Sequence, residues 1–381
     1  MRSTAAVSIL FAQAASSLAA PLNAGAVLSS RTLGIIKQQL GNHDSDSWVA
    51  GTECQALYEL DYRAMSVFAS QYTSAINGSV VPSSTNNIIA AWSSKRPSGQ
   101  TQMAVVPGGA AADPAALGGA WLIASRTVAD PMLRSSYRQI LDDEVSFQTE
   151  TQPRSTNGAI SMRPASEPVQ LWSDFMSMVP PFLAMYGVVS SSQSALDEAV
   201  SQCQKYREAL RDPTTGLWQH VVLGAWQDNG LWATGNAWAA HGMARVAATL
   251  QNSRYSSAYE SSIENLRSWT DEILVASMSR LTPSNLVPNY FDKASFTDTA
   301  ATALLSAASF RLETLKLNQT STNIENALRM RRAVLSRVDP TTGWVSDCVD
   351  PIKWELQTNR SPESLAFVLL MEAAYRDYLA L

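Results

Sequence analysis

The block DPTTGLW at residues 212–218 recurs as DPTTGW at residues 339–344. In each copy, proline fixes φ early in a turn and glycine can adopt a positive φ at its end. Each copy also follows a stretch with an amphipathic helical pattern. Repetition of a helix and its loop is typical of stacked or closed helical arrays. We therefore expect an all-helical toroid or solenoid whose function lies on loops along one rim.

Helical periodicity dominates the rest of the chain. Residues 194–211 place Leu196, Cys203 and Leu210 on one apolar face, with charged side chains opposite. Similar stripes occur near residues 31–40, 51–67, 115–129, 133–149, 236–251, 256–279, 299–313, 322–337 and 363–380. Strand-like alternation is almost absent, and residues 77–112 are predicted to be a long loop with one short helix at 88–92. The predicted fold class is all-α, with about a dozen helices in a single domain spanning 21–381.

Two kinds of helix are distinguishable by composition. Residues 236–245 combine small side chains with few charges, so neighbouring helices could approach this segment closely. Residues 196–210, in contrast, have one polar and one apolar face. An inner ring of small or apolar helices inside an outer ring of amphipathic helices needs both kinds. The contrast favours a closed double ring over a flat stack.

The first 20 residues have the pattern of a secretory signal peptide, with Arg2 before a short apolar run and small residues at 17–19. This run is too short to span a membrane stably, and no later segment is long and apolar enough. We therefore expect a secreted protein that is not membrane-bound. Glycosylation sequons at Asn77 and Asn318 fit the secretory route.

The three cysteines, Cys54, Cys203 and Cys348, cannot all pair within one chain. One disulfide with one free thiol is compatible with this number, but a disulfide scaffold is excluded. Cys54 and Cys203 fall on apolar helical faces, which favours burial as small hydrophobic side chains.

The composition narrows the class of ligand. The chain has 28 basic and 33 acidic residues without a run of lysine or arginine, which argues against nucleic-acid binding. Its 3 histidines are scattered without metal-ligand spacing, so neither a metal site nor another cofactor is expected. The 11 tryptophans and 11 tyrosines suit a protein that stacks rings against sugars, and equally suit a large helical core. We expect a monomer, and the composition alone does not decide between sugar binding and a large helical core.

Three stretches resemble the loops of a known enzyme group: ADPAALG at 112–118, LWSDFMSMVPPFL at 171–183, and LWQH at 217–220 taken with WATGNAW at 232–238. With PRSTNG at 153–158 and SPE at 361–363, most of the chain resembles the unsaturated rhamnogalacturonyl and glucuronyl hydrolases. These form glycoside hydrolase families 105 and 88 of the six-hairpin glycosidase superfamily. The sequences at residues 230–243 and 361–378 are similar to those of the fungal branch of this group.

This resemblance implies an (α/α)6 barrel of six helical hairpins, with the active site in the mouth of the inner ring. By its place in the matching segments, Asp174 corresponds to the general acid/base, Asp113 to a second carboxylate, and His220 to a histidine that lines the sugar site. The implied substrate is the unsaturated uronyl sugar that a polysaccharide lyase leaves, with a C4=C5 double bond beside its carboxylate. Rhamnogalacturonan or a similar pectic chain would supply it.

Elementary chemistry is consistent with these roles. Protonation of carbon requires an acid that still holds its proton near the working pH. A second carboxylate in a pocket walled by tryptophan raises one pKa through like-charge repulsion and desolvation. Trp172, Trp218 and Trp232 are the expected walls, able to stack on sugar rings. Asn236, near the start of the next helix, is expected to contact the substrate, and Arg163 to neutralise its carboxylate.

Structural roles compete with these assignments. Asp174 could instead cap the helix that follows it, and Asp113 precedes Pro114 in the pattern of an N-cap. His220 could be a structural or surface histidine, and Arg163 a rim charge. Other candidates are expected to be purely structural, namely Asp130 as a helix cap, His43 and His241, and Trp121, Trp238 and Trp269 in the core.

Two places depart from the bacterial pattern. Relatives commonly have a histidine-lysine pair where this chain has Ser161 and Met162, and often have arginine in the motif where Thr234 stands. Both changes remove hydrogen-bond donors for an acidic sugar. Three functions therefore stay open: a secreted hydrolase of unsaturated uronyl oligosaccharides, a non-catalytic glycan-binding protein of the same fold, and an inverting hydrolase of saturated glycans.

Overall fold

The computed structural model describes residues 25–42, 46–97, 99–100, 110–315 and 323–381. The predicted signal peptide, His43 and the sequon at Asn318 lie outside these residues. The α-helices of the described part are α1 (Ser30–Gly41), α2 (Ser47–Asp61), α3 (Tyr72–Ala75), α4 (Ser83–Lys95), α5 (Gly118–Thr127), α6 (Pro131–Ser146), α7 (Phe175–Ser190), α8 (Gln193–Leu210), α9 (Ala233–Gln251), α10 (Glu260–Met278), α11 (Thr299–Thr314), α12 (Asn323–Leu335) and α13 (Pro362–Tyr378).

Short antiparallel pairings join the loops between these helices. The paired strands are β1 (Gln170–Trp172) with β2 (Val221–Leu223), β3 (Val287–Pro288) with β4 (Thr297–Asp298), and β5 (Cys348–Val349) with β6 (Gln357–Thr358). Each strand has only two or three residues, which agrees with the near absence of strand-like alternation in the sequence.

In the described residues, twelve of the helices form two concentric rings of six. The inner ring consists of α2, α5, α7, α9, α11 and α13, and the outer ring of α1, α4, α6, α8, α10 and α12. Each inner helix packs against the next in this order, and α13 packs against α2, which closes the ring. This arrangement is an (α/α)6 barrel, and the predicted fold class is confirmed. Within the part of the chain that the structure describes, no helix has the length and apolarity needed to cross a bilayer.

Small residues allow the inner helices α7 and α9 to cross at close range. A Cβ atom on Gly242 would lie 2.0 Å from the carbonyl oxygen of Met176, so only glycine fits here without a backbone shift. Ser177 Oγ donates to the carbonyl of Trp238 at 2.9 Å, and Arg245 Nη1 donates to the carbonyl of Ser177 at 2.9 Å. The close approach therefore also satisfies polar groups that the crossing buries.

Helix α7 was not detectable as an amphipathic stripe. It is buried nearly all round and contains Pro180 and Pro181 in its interior. Periodicity detects a helix through the contrast between its two faces, and this helix has no polar face. Helix α4 is longer than the predicted short helix at 88–92, because the polar residues at 83–87 also adopt helical geometry.

The two copies of the repeated block adopt the same turn. Asp212 Oδ1 accepts hydrogen bonds from the amides two and three residues later, both at 2.8 Å, and Gly216 has a φ of +77°. The second copy repeats this pattern, and its Gly343 also has a φ of +77°. Residue-by-residue alignment of the turns matches Trp218 with Val345, since each forms the bridge that follows its turn. The tryptophans of the two copies are therefore not equivalent.

All three cysteines, Cys54, Cys203 and Cys348, are buried free thiols. The predicted burial of Cys54 and Cys203 is confirmed, and the alternative with one disulfide is wrong. Burial raises the pKa of each thiol, which keeps it protonated and unreactive.

Candidate active site

The amino-terminal ends of five inner helices bring carboxyl groups to one end of the barrel. These groups belong to Asp46 before α2, Asp113 before α5, Asp174 before α7, Asp298 before α11 and Glu363 in the first turn of α13. Asp113 interacts electrostatically with Asp174, Asp46 and Glu363, so the carboxyl groups are near one another. The positive ends of the helix dipoles favour acidic groups at these positions.

Backbone hydrogen bonds between loops fix the positions of the polar side chains at this end of the barrel. In the β1–β2 ladder Trp172 pairs with Val221, and the amide of Ser173 donates to the carbonyl of His220 at 2.9 Å. Val221 also bridges to Asp228, with amide-to-carbonyl distances of 2.8 and 3.0 Å. These backbone contacts place the side chain of His220 between those of Asp174 and Asp228.

Asp174 directly precedes α7, yet its carboxylate forms no capping hydrogen bond. Its Oδ2 accepts from Ser173 Oγ at 3.3 Å and lies 3.6 Å from Nε2 of His220, and its side chain keeps 17% exposure. Burial raises the pKa of Asp174, and His220 and local hydrogen bonds offset part of this increase. The capping alternative is therefore wrong for Asp174. Its carboxyl group is available to hold a proton and to release it.

A chain of hydrogen bonds orients His220. Its Nδ1 lies 2.9 Å from Oδ2 of Asp228, and this oxygen also accepts from the hydroxyl of Tyr290 at 2.5 Å. Burial tends to raise the pKa of Asp228, but hydrogen bonds from His220 and Tyr290 lower it to about 2. An ionised carboxylate only accepts, so Nδ1 of His220 must donate. The other ring nitrogen, Nε2, then faces Asp174 and has no hydrogen-bond partner among the described residues.

Asp113 is 5% exposed and is the first residue of the 3₁₀ segment Asp113–Leu117, so the N-cap position belongs to Ala112. The N-cap alternative is therefore wrong for Asp113 as well. Burial raises its pKa well above the ordinary value, the Asp174 and Asp46 carboxylates raise it further, and Arg163 lowers it. Burial and the neighbouring carboxylates therefore favour the neutral form of Asp113, which is in electrostatic contact with Asp174.

Glu363 is a third buried acid of this site. Its Oε2 accepts from the indole nitrogen of Trp48 at 3.1 Å, while Oε1 is buried without a partner in the described part of the chain. Burial raises the pKa of Glu363 to about 8, with the hydrogen bond from Trp48 opposing and the Asp174 and Asp298 carboxylates adding to the shift. Glu363 is therefore protonated at neutral pH, and the negative charge of the cluster is smaller than its composition suggests.

Indole rings enclose His220. The centroid of its ring lies 4.3 Å from Trp232, 5.0 Å from Trp354 and 5.6 Å from Trp172. Trp226 contacts Trp172 at 5.3 Å and stacks on Trp354 at 6.0 Å with an interplanar angle of 16°. The structure therefore places the predicted wall residues Trp172 and Trp232 around His220, together with two tryptophans that were not predicted. Trp232 is only 3% exposed, so it packs against His220, and its predicted stacking on a sugar is wrong.

Burial contradicts two further predicted substrate contacts. Trp218 is completely buried in the core and so cannot stack on a sugar. Asn236 is also completely buried, and its side-chain amide forms hydrogen bonds with backbone groups. It accepts from the amide of Trp218 at 2.8 Å and donates to the carbonyls of Trp218 at 2.9 Å and Trp232 at 2.8 Å. Asn236 thus fixes the loop that precedes α9.

Arg163 lies near enough to lower the pKa of Asp113, as a cation of the site would. Its guanidinium is paired with Glu167, at 2.9 Å from Nε and 3.1 Å from Nη2. Thr234, where relatives often have arginine, donates to Asp298 Oδ2 at 2.6 Å. The alternative of a rim charge and the predicted substrate contact are therefore both compatible with the placement of Arg163.

Several members of the site had no usable signal in the sequence. Asp228 lies in a loop with Gly and Asn neighbours, and its partner Tyr290 is 62 residues away. Trp48 and Glu363 are separated by 315 residues. Glu363 belongs to the SPE segment that resembles the family, but the resemblance assigned no role to this residue. Trp354 was indistinguishable from the other tryptophans of the chain.

Comparison with known proteins shows a family match over the middle of the chain. Residues 126–275 match the model of Glycosyl Hydrolase Family 88. This range contains Asp174, His220 and Asp228 and begins after Asp113. No curated protein matches the chain by sequence.

Solved structures share the fold over nearly the whole chain. A possible member of the GH105 family from Salmonella enterica serovar Paratyphi A has a TM-score of 0.71 at 15% identity, covering 91% of this chain and 93% of that one. The unsaturated glucuronyl hydrolase of Bacillus sp. GL1 has a TM-score of 0.62 at 14% identity, covering 90% and 94%. A structure that pairs UGL with dGlcA-Glc-Rha-Glc has a TM-score of 0.61 at 14% identity, also covering 90% and 94%. At these identities the likeness shows a common fold.

Proposed function

We propose that this chain hydrolyses unsaturated uronyl oligosaccharides released from rhamnogalacturonan or a similar pectic chain, in keeping with the match of residues 126–275 to the model of Glycosyl Hydrolase Family 88. The observation that carries the proposal is the uncapped carboxyl group of Asp174, 3.6 Å from His220 and with a raised pKa. The similar structure that pairs UGL with dGlcA-Glc-Rha-Glc supports an oligosaccharide as the class of substrate.

In the proposed reaction, Asp174 donates its proton to C4 of the C4=C5 double bond. Positive charge then develops at C5 and is shared with the ring oxygen. The resulting Asp174 carboxylate accepts a proton from the water molecule that adds to C5, which restores the acid. The C5 hemiketal opens, and the aglycone leaves as an alcohol. One water molecule is consumed, and Asp174 begins and ends the cycle protonated.

The raised pKa values of the acids around Asp174 suit an anionic substrate. A uronate carboxylate would be repelled by a fully ionised cluster, but burial raises the pKa of both Asp113 and Glu363. In their protonated forms these groups can donate hydrogen bonds. When Asp113 is ionised, its negative charge disfavours ionisation of Asp174, so the two acids do not both ionise readily.

The proposal is tested by the ultraviolet absorbance of the conjugated double bond. We expect the purified protein to remove the absorbance of lyase-treated rhamnogalacturonan and to release a saturated aglycone, with no activity on the untreated polysaccharide. Release of saturated sugars from untreated polysaccharide would instead identify the inverting hydrolase.

Asp228 is expected to act as a positioning residue for His220. Asp228→Asn removes the fixed charge that accepts from Nδ1, so we expect kcat to fall at least about tenfold. KM should change little, and the alkaline limb of the pH–rate profile should move, since it reports the loss of the proton from Asp174. Tyr290→Phe, which removes only one of the hydrogen bonds to Asp228, is the milder companion variant. An unchanged pH profile in Asp228→Asn would contradict this role.

A non-catalytic glycan-binding protein is the second candidate. It is motivated by Ser161 and Met162 in place of a histidine-lysine pair and by Thr234 in place of an arginine, because these changes remove hydrogen-bond donors for an acidic sugar. Saturable binding of lyase products without loss of absorbance would establish this function. From the pattern of residues 1–20 we further infer that the protein acts outside the cell, which the presence of a processed amino terminus on protein recovered from the medium would test.

A further inference from the structure

We propose that the candidate site prefers the unsaturated uronyl unit as its neutral methyl ester over the free uronate. Glu167 sets this preference through its ion pair with Arg163. The inference rests on the proposed function for the reaction and adds the form of the substrate at C6. Pectic chains carry uronyl groups both as carboxylates and as methyl esters, so lyases release unsaturated units of either form.

The cluster of acids keeps negative charge even when Asp113 and Glu363 hold their protons. Burial tends to raise the pKa of Asp228, but hydrogen bonds lower it to about 2, so this group is ionised. The two oxygens of Asp298 accept four hydrogen bonds, from Thr234 at 2.6 Å and from three backbone amides at 2.9 to 3.3 Å. Burial raises the pKa of Asp298, and these four donors oppose the increase by favouring the carboxylate. The raised pKa values thus allow a uronate to enter, but the remaining carboxylates still repel it.

Arg163 is the basic residue that opposes the effects of burial and of neighbouring carboxylates on the pKa of Asp113. Its guanidinium forms a two-pronged ion pair with Glu167, with Nε 2.9 Å from Oε2 and Nη2 3.1 Å from Oε1. This parallel geometry is the strong form of an arginine–carboxylate contact. The pair carries no net charge, and it uses two of the five N–H groups of the guanidinium. Arg163 can therefore donate hydrogen bonds to a substrate without offering it an uncompensated positive charge.

Three further basic side chains of the loops at this end of the barrel are exposed to solvent. Lys293 pairs with Glu355 at 3.6 Å, and their side chains are 47% and 72% exposed. Lys353 and Arg360 are also exposed. Water and salt screen such charges strongly. Among the described residues, Arg163 is therefore the cation that decides how the site treats a carboxylate.

Two buried positions reinforce the preference for a neutral group. Met162 is 2% exposed and Thr234 is completely buried, and neither side chain carries charge. Relatives commonly have lysine at the first of these positions and often have arginine at the second. The charges that would attract a uronate are thus missing from these two positions of this chain.

A methyl ester meets the hydrogen-bond donors of the site without adding a charge. Its carbonyl oxygen accepts hydrogen bonds from the guanidinium of Arg163 or from a protonated carboxyl group. Oε1 of Glu363 is buried without a partner in the described part of the chain, so a proton on it is available for such a bond. Burial of an ionised carboxylate without an opposite charge costs much more free energy than burial of a neutral ester. The site therefore binds the ester more tightly.

The methyl ester stays intact in the proposed reaction, because water adds at C5 and the methoxy group remains on C6. An ester withdraws electrons from C5 more strongly than a carboxylate does, which slows protonation of the double bond. Binding and turnover are therefore measured separately.

Binding is measured with Asp174→Asn, whose side chain is neutral like the protonated acid and cannot start the reaction. Calorimetric titration compares two unsaturated disaccharides that differ only in a carboxylate or a methyl ester at C6. We expect the Kd of the free acid to be about tenfold higher than that of the ester. Equal affinities, or tighter binding of the free acid, would overturn the preference.

Glu167→Gln tests the role assigned to the ion pair. The variant leaves Arg163 with an uncompensated charge, so kcat/KM for the free acid divided by kcat/KM for the ester should rise about fivefold over the wild-type ratio. The intrinsic effect of the ester on protonation cancels in this comparison, and a loosened loop would lower both values together. Glu264→Gln is the matched control, because it removes the same charge from an exposed pair with Arg267 on the outer helix α10. Its ratio should equal the wild-type ratio, and an unchanged ratio in Glu167→Gln would contradict the role of Glu167.

Failure of the proposed function gives a different result. If the wild-type protein turns over neither disaccharide, the same titration with the wild-type protein decides the preference by binding alone. Tighter binding of the ester would then support the preference, and equal affinities would overturn it.

Discussion

Asp174→Asn is expected to lower kcat by about 10³-fold or more with the folded structure retained. An amide cannot transfer a proton to carbon, so the first step of the reaction loses its acid. The side chain of Asp174 forms no capping bond, and burial already disfavours its charge, so replacement by a neutral isostere should not reduce the free energy of unfolding. Initial rates from the loss of ultraviolet absorbance and denaturant unfolding curves measure the two effects separately.

Asp130→Asn is the matched control for this variant. Asp130 also precedes a helix, and its carboxylate does cap α6, accepting from the amide of Met132 at 2.8 Å. Asparagine is a good N-cap, so both activity and stability should stay near wild-type values. Undiminished turnover in Asp174→Asn would show that another group is the acid and would refute the proposed mechanism.

Gly242→Ala is expected to lower the free energy of unfolding by at least about 3 kcal/mol. The added Cβ atom would lie 2.0 Å from a carbonyl oxygen of α7, and backbone cannot move aside as a flexible side chain can. Separation of the two helices would also break the hydrogen bond from Ser177 to Trp238, one turn after Asp174. We therefore expect lost activity in any protein that still folds, and chemical denaturation measures the loss of stability.

Gly34→Ala serves as the control at a helical glycine. A Cβ atom there meets nothing within 4 Å, on an exposed position of α1. Alanine should raise the free energy of unfolding by about 0.5–1 kcal/mol through its higher helix propensity. Equal destabilisation of the two variants would mean that the α7–α9 crossing is not as tight as the structure has it.

Outer helices and turns were predictable because their signals are local. Residues 194–211 alternate apolar and charged faces at the helical period, and α8 is observed at Gln193–Leu210. The turn at 212–216 needs an acidic side chain, proline and glycine at fixed positions, all of which lie within five residues of one another. Helix α7 had no such signal, since burial on every side removes the contrast on which periodicity depends.

The tryptophans show the limit of local information most clearly. Trp172 and Trp218 each occur in a Leu-Trp dipeptide before a polar pair, and both were predicted to wall the site. The strand ladder turns Trp172 toward His220, whereas the bridge between Arg211 and Trp218 turns the second ring into the core. Both residues are tryptophans and could stack on a sugar. Pairing between distant backbone segments decides which of the two rings faces the site.

The amino-acid sequence by itself determined the helical rings, the turn chemistry and, through its resemblance to a family, the positions of Asp174, Asp113 and His220. Only the tertiary structure assembled the cluster of carboxyl groups, joined Tyr290 and Asp228 to His220, and brought Trp226 to Trp172 and Trp354 to His220. The reason is that helix and turn formation depend on residues a few positions apart. Proton retention by an acid depends instead on burial and on charges contributed by distant segments, which exist only when the ring has closed.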